Sequence, residues 1–253
     1  PRSTLFPYTT LFRSNTGLET TFVGHPLAEE KVGDADGAAF RRRNGIAAED
    51  SVLAMLPGSR HGEISRHLPI FGETINAVAA HRDLRWVVIP AMPALRAEVE
   101  AAAAHWNVKS LIVDGSVQST KYDALAASNA ALTSSGTATL ELAILGVPMV
   151  VAYRANPITI ALARRIVKVP HMALANIVAG RRAAPEFLQE ACSAEQLAPA
   201  LENILLDATV RRDQIECFRN VSRQLGIGGS APSELAAEAV LRVIKKYQPN
   251  KEN

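Results

Sequence analysis

The sequence predicts an α/β protein, a Rossmann-like doubly wound parallel sheet followed by a helical carboxyl-terminal extension. Three observations carry this. Short apolar runs alternate with helical patterns five times between Ser51 and Tyr153, which is the repeating unit of a parallel sheet covered on both faces. Two of those runs end in small-residue turns, Pro57-Gly58-Ser59-Arg60 and Ser134-Ser135-Gly136-Thr137, each between strand and helix. With 253 residues, 48% of them hydrophobic, the chain can also bury a large core.

Taken in order, residues 1–14 (PRSTLFPYTTLFRS) hold the near-duplicates STLF and TTLF and lack the Ala-rich composition that follows. They read as a foreign leader. From Thr20, TTFVGHPL is a short β-rich run ending in Gly24, His25 and Pro26, as a strand passing from one domain to the next would end; His25 fits a hydrogen-bonding loop residue. Residues 34–50 read as a short helix, its cap and a linker, with Arg41, Arg42 and Arg43 as a solvated face. Residues 15–50 thus form the remnant of an inter-domain strand and linker.

SVLAML (51–56) is then a strand, followed by a helix over about 63–80. Strands at 84–90, 111–115 and 130–133 alternate with helices at 93–106, 119–128 and from Gly136, and 148–153 closes the series. Trp86 and Trp106 read as packing residues. Beyond Arg154 the pattern is almost wholly helical, at 156–167, 171–180, 186–207, 209–225 and 233–247, with GIGG (226–229) connecting the last two. The boundaries expected are a sheet domain over 51–207 and carboxyl-terminal helices over 208–253.

Several function classes are disfavoured. A net charge of +2 is too small for a general nucleic-acid binder. Cys192 and Cys217 lack CxxC spacing and point to a reducing compartment, by default the cytoplasm; Cys217 reads as structural. The longest apolar runs are broken at Gly146 and Pro148, short of the ~20 residues a spanning helix needs. No Ser-His-Asp order, metal-ligand spacing or paired carboxylate stands out, so no catalytic residue, metal or cofactor is assigned. His61 and His67 flank Glu63 six apart, unlike the spacing of a zinc helix, and read as surface or turn residues.

The candidate site is anionic-ligand chemistry at the two turns. Ser134, Ser135, Gly136, Thr137 and Ala138 let phosphates approach the backbone, and the helix starting there aims free N–H groups and its positive end at an anion. Gly58, Ser59 and Arg60 occupy the matching turn of the first strand, and Glu141 stands where a carboxylate can accept hydrogen bonds from vicinal hydroxyls. The same residues also fit an ordinary helix start and a β-turn with an exposed arginine. Asn176, in an apolar helix-like segment, is either a packed hydrogen bonder or a ligand contact. Arg164, Arg165 and Lys168, interleaved with apolar residues, suit phospholipid head groups or equally a set of helix-end cations.

Together LPGSRHGEI (56–64), SSGTATLELAILGVPMVVAYR (134–154) and LANIVAGRRAAPEFLQ (174–189) resemble lipid-A-disaccharide synthase over about residues 21–247. The resemblance implies a metal-free GT-B glycosyltransferase that joins UDP-2,3-diacylglucosamine to 2,3-diacylglucosamine 1-phosphate, releasing UDP in lipid A biosynthesis, peripheral at the inner membrane. It matches this chain to the carboxyl-terminal, UDP-binding half, with the amino-terminal half and its catalytic base missing, so that the chain alone would not turn over. It places Gly58, Ser59, Arg60 and Ser135, Gly136 and Thr137 on the diphosphate and Glu141 on the ribose, makes Asn176 a functionally important asparagine, and sets Tyr153 and Arg154 near the site. Arg164, Arg165 and Lys168 would face the membrane, a homodimer is compatible, and 233–247 would expose an apolar stripe toward the absent half. The alternatives are another UDP-sugar GT-B enzyme, a GlcNAc transferase or epimerase, and a non-catalytic nucleotide-binding module.

Overall fold

A computed structural model describes residues 21–155 and 171–247. The leader at 1–14 and the cations Arg164, Arg165 and Lys168 lie outside the described residues. Six parallel strands, β1 (Ser51–Leu56), β2 (Leu84–Ala91), β3 (Lys109–Asp114), β4 (Ala130–Thr133), β5 (Met149–Tyr153) and β6 (Glu186–Leu188), form one sheet in the order β3-β2-β1-β4-β5-β6. The order reverses between β1 and β4, the topological switch point of a doubly wound sheet.

Helices cover both faces: α1 (Gly37–Arg43), α2 (His61–His81), α3 (Arg96–Ala103), α4 (Gln118–Ala126), α5 (Thr137–Ile144), α6 (Leu174–Ala179), α7 (Ala194–Leu206), α8 (Ala208–Leu225) and α9 (Pro232–Tyr247). Strand side chains alternate between these layers. Leu53, Met55, Val87, Ile89 and Leu132 join Phe71 and Ile75 of α2 and Leu197 and Leu201 of α7 in one core cluster. Ala54, Leu56, Ala131 and Val151 face the other way, onto Leu140 of α5 and Phe218 and Val221 of α8. With both faces covered, the strands must be apolar throughout, which is why SVLAML carries no polar alternation.

Three expectations are corrected. Residues 186–207 are not one helix: Glu186–Leu188 adds a sixth strand beside β5, and α7 begins only at Ala194. A three-residue edge strand leaves too short a pattern to separate from the helix that follows. The run at 21–25 is irregular, leading into a 3-10 turn at Pro26–Ala28. Arg41 is not part of a solvated face; its guanidinium donates to the carbonyls of Ala127, Ala47 and Asp50 and to Asn129 Oδ1 at 2.9–3.0 Å, tying the segment after α1 to the sheet. His25 behaves as a loop residue, its Nδ1 accepting from Leu27 N at 3.2 Å.

At the far end, α9 leaves Val240, Leu241, Val243 and Ile244 between 45 and 58% exposed, the apolar stripe expected of 233–247. No helix among the described residues is long and apolar enough to cross a membrane.

Candidate nucleotide site

Parallel pairing sets Leu56, the last residue of β1, in register with Thr133, the last of β4. Ser134 N donates to Leu56 O at 2.8 Å, so the two turns that follow leave the sheet side by side at the switch point. Two turns far apart in the chain therefore share one opening, the crevice where open α/β sheets bind ligands.

The first turn is built around Glu63. Gly58 has φ +130°, and a Cβ there would stand 2.6 Å from Glu63 Cβ, so neither the backbone nor the space admits another residue. Glu63 then accepts the Ser59 N–H at 3.1 Å and the Arg60 guanidinium at 3.2 Å. Arg60 is the N-cap residue of α2 and its side chain is 80% exposed. An ion pair this wet contributes little, so the guanidinium can turn to an incoming anion at small cost.

In the second turn, Gly136 caps α5 with φ +127° and no side chain to occupy the helix N–H groups. Those donors and the dipole end of α5 face the opening. Thr139 is turned inward, its hydroxyl donating to Gly136 O at 2.8 Å and accepting Ala175 N at 3.2 Å, which docks α6 against the turn. Ser135 Oγ donates to Met172 O at 2.8 Å.

These turns line a cavity of about 350 Å³ together with Pro90, Gly115, Lys121 and Glu141. Gly58, Ser59, Arg60, Ser135, Gly136, Thr137 and Glu141 are thus brought together. Glu141 Oε1 lies 2.6 Å from Lys121 Nζ, with the two side chains 8 and 19% exposed. A carboxylate taken this far out of water needs a counter-charge, and α4 supplies it. Cavities of about 390 and 560 Å³ open elsewhere, but neither sits at the carboxyl ends of β1 and β4.

Asn176 is not among the lining residues. It is fully buried in α6, with Nδ2 donating to Ala184 O at 2.8 Å and to Glu186 Oε1 at 2.5 Å, and Oδ1 accepting from Ala183 N at 2.9 Å and Ala184 N at 2.8 Å. All its hydrogen-bonding capacity is spent on the loop that delivers β6. Tyr153 and Arg154 also lie off the cavity, at the end of β5.

His67 differs from its surface reading: it is fully buried on α2. Its Nδ1 lies 2.6 Å from Pro57 O and its Nε2 accepts Arg154 N at 3.0 Å, with Phe71 and Tyr153 against the ring. Desolvation, the largest influence, lowers its pKa. Sequence reasoning also missed Lys121 and Glu186, whose carboxylate accepts Met172 N and Ala173 N at 2.9 and 3.3 Å. Lys121 precedes Tyr122 in a helix of weak amphipathicity, and nothing in its spacing from Glu141 in the chain marks the pair.

The model of the lipid-A-disaccharide synthetase family matches residues 3–240. The lipid-A-disaccharide synthase of Rhodospirillum centenum is 43% identical over 96% of this chain and 60% of its own length. That of Bradyrhizobium diazoefficiens is 41% identical over 93% and 59%. The chain thus spans about 60% of the length of these curated relatives. Among solved structures, a glycosyltransferase from Rickettsia africae superposes with TM-score 0.54 at 11% identity, covering 85% of this chain and 52% of its own. WaaG, a glycosyltransferase involved in lipopolysaccharide biosynthesis, does so with TM-score 0.51 at 19% identity, covering 79% and 50%. At such identities these two bear on the fold alone.

Proposed function

The chain belongs to the lipid-A-disaccharide synthetase family, and from that premise we propose that it binds the UDP part of a UDP-2,3-diacylglucosamine donor. The carrying observation is the convergence of the 58–60 and 134–137 turns with Glu141 on one cavity at the switch point. The diphosphate meets the α5 N-terminus and Arg60, and Glu141 receives the ribose hydroxyls.

The reaction proposed is transfer of the diacylglucosaminyl group to the 6-hydroxyl of 2,3-diacylglucosamine 1-phosphate, with UDP leaving. As the glycosidic bond to the diphosphate breaks, negative charge grows on the leaving group. Donors already oriented at that point stabilise it without reorganisation, and here they are the N–H groups of α5 and the guanidinium of Arg60. Among the described residues, the carboxylates that line the cavity are engaged elsewhere, Glu141 with Lys121 and Glu63 with the first turn, and neither is placed as a base for the acceptor hydroxyl. We assign that base to the part of the relatives' length this chain does not span, and the chain alone therefore binds without turnover. The stripe on α9 supports a second half packing there. Because both substrates carry acyl chains, Arg164, Arg165 and Lys168 would hold the enzyme at the inner membrane's cytoplasmic face, which liposome sedimentation across a salt series tests.

Titration calorimetry with UDP tests the site. Binding that is lost in Arg60→Ala and in Glu141→Ala is expected; absence of UDP binding in the unaltered chain rejects the assignment.

A further inference from the structure

We infer that Lys121 is a positioning residue for nucleotide selection: by occupying one oxygen of Glu141 it fixes the carboxylate so that the other receives the sugar hydroxyls of the bound nucleotide. This rests on the donor-site reading above and adds to it a residue from a different helix, α4, assigned by neither the family blocks nor their spacing.

The argument begins with the carboxylate. Glu141 is the fifth residue of α5, one turn behind the diphosphate-facing N–H groups, and its side chain is 8% exposed. A side chain so placed must find partners or lose the energy of its hydration. Lys121 Nζ supplies a charge-assisted bond at 2.6 Å to Oε1, and the hydroxyl of Tyr122, which follows Lys121 on α4, also interacts with the carboxylate. A carboxylate has about four lone-pair sites, so one ammonium and one phenol hydroxyl still leave acceptor capacity for a vicinal diol.

Lys121 is itself restrained. Its Nζ stands 4.8 Å over the ring of Tyr122, an arrangement that favours a cation, and Tyr122 is 2% exposed with its hydroxyl bonded to Glu30. The charged groups facing the pair are thus Glu141 from α5 and Glu30 from the segment before α1. The ammonium cannot leave Glu141 without giving up both contacts, so the carboxylate is oriented before ligand arrives. Both side chains line the cavity, which also makes a direct Lys121–phosphate contact a rival with a different signature.

The test compares UDP with 2′,3′-dideoxy-UDP by calorimetry on the full 253-residue chain, in the unaltered protein and in Lys121→Met and Lys121→Arg. The unaltered chain is expected to prefer UDP about tenfold or more, the size of a charge-assisted hydrogen bond. In Lys121→Met that preference falls to about twofold or less while dideoxy affinity holds, and Lys121→Arg restores part of it. Retained dideoxy binding shows in the same experiment that the pocket is folded. Equal loss of both ligands, as for a lysine on the phosphates or a pocket that has collapsed, overturns the proposal, as does an unchanged preference. No UDP binding to the unaltered chain instead rejects the underlying donor-site reading.

Discussion

His67 Nε2 accepts the backbone N–H of Arg154 at 3.0 Å, joining the helix after the first glycine turn to the end of β5. With its Nδ1 2.6 Å from Pro57 O, which can only accept, the ring must be neutral with its proton on Nδ1. Protonating Nε2 would set two donors against each other. The folded pKa is lowered from 6.5 chiefly by desolvation, so the folded state holds fewer protons than the unfolded one just below that value. The stability His67 contributes is therefore present above pH 6.5 and lost as pH falls through its depressed folded pKa, at up to about 1.4 kcal/mol per pH unit. Urea unfolding of the unaltered chain and of His67→Gln at a series of pH values should give a difference that shrinks on acidification. A difference independent of pH would rule out a neutral buried ring.

The two glycines of the site should respond unequally to alanine. Both have positive φ, +130° at Gly58 and +127° at Gly136, but a Cβ at Gly136 meets nothing within 4 Å, whereas at Gly58 it meets Glu63 Cβ at 2.6 Å. Gly136→Ala should cost about 1–2 kcal/mol from backbone strain alone. Gly58→Ala adds a steric clash with the first turn of α2 and should cost at least about 1 kcal/mol more, measured by denaturant unfolding. It should also displace Ser59 and Arg60 and weaken UDP binding beyond the loss in Gly136→Ala. Equal destabilisation would mean that the first turn is looser than its geometry.

Arg60 should separate binding from stability. Its side chain is 80% exposed and its partner Glu63 is held independently by the Ser59 N–H. Arg60→Ala should change unfolding free energy by no more than about 0.5 kcal/mol, while UDP affinity falls about tenfold or more through loss of a charged hydrogen bond. An equal fall for uridine, which lacks phosphates, would remove Arg60 from the diphosphate.

Most of the sheet was legible because parallel strands buried on both faces are uniform apolar runs bounded by turn residues, as SVLAML before Pro57-Gly58 shows. The two turns at the switch point were legible for the same reason, small residues between strand and helix. The misses share a different cause. β6 is only Glu186–Leu188 and depends on β5 for its pairing. His67 lies in the helix HGEISRHLPIFG beside charged residues, and only tertiary packing against Pro57, Phe71 and Tyr153 makes it a core residue. Lys121 reaches Glu141 from a neighbouring helix across 20 positions of chain, a distance at which local pattern carries no information.

Asn176 provides the sharpest separation between what the family resemblance implies and what the side chain touches. Its amide bonds Ala183 N, Ala184 N, Ala184 O and Glu186 Oε1, and Glu186 in turn holds Met172 N and Ala173 N, next to Ser135 through Met172 O. Asn176→Ala would leave several buried groups unpaired at once, and we expect a loss of about 3 kcal/mol, read as a fall in melting temperature of roughly 6–12 °C. Asn176→Asp should be at least as damaging, since it brings a second carboxylate to where Nδ2 now lies 2.5 Å from Glu186. If Asn176 acts only by holding this network, whatever UDP affinity is lost in Asn176→Ala should be lost equally for dideoxy-UDP, because the whole Ser135 side of the turn shifts, and less for uridine, which lacks the phosphates that this turn meets. A stable Asn176→Ala chain with selectively weakened UDP binding would instead put the amide in contact with ligand.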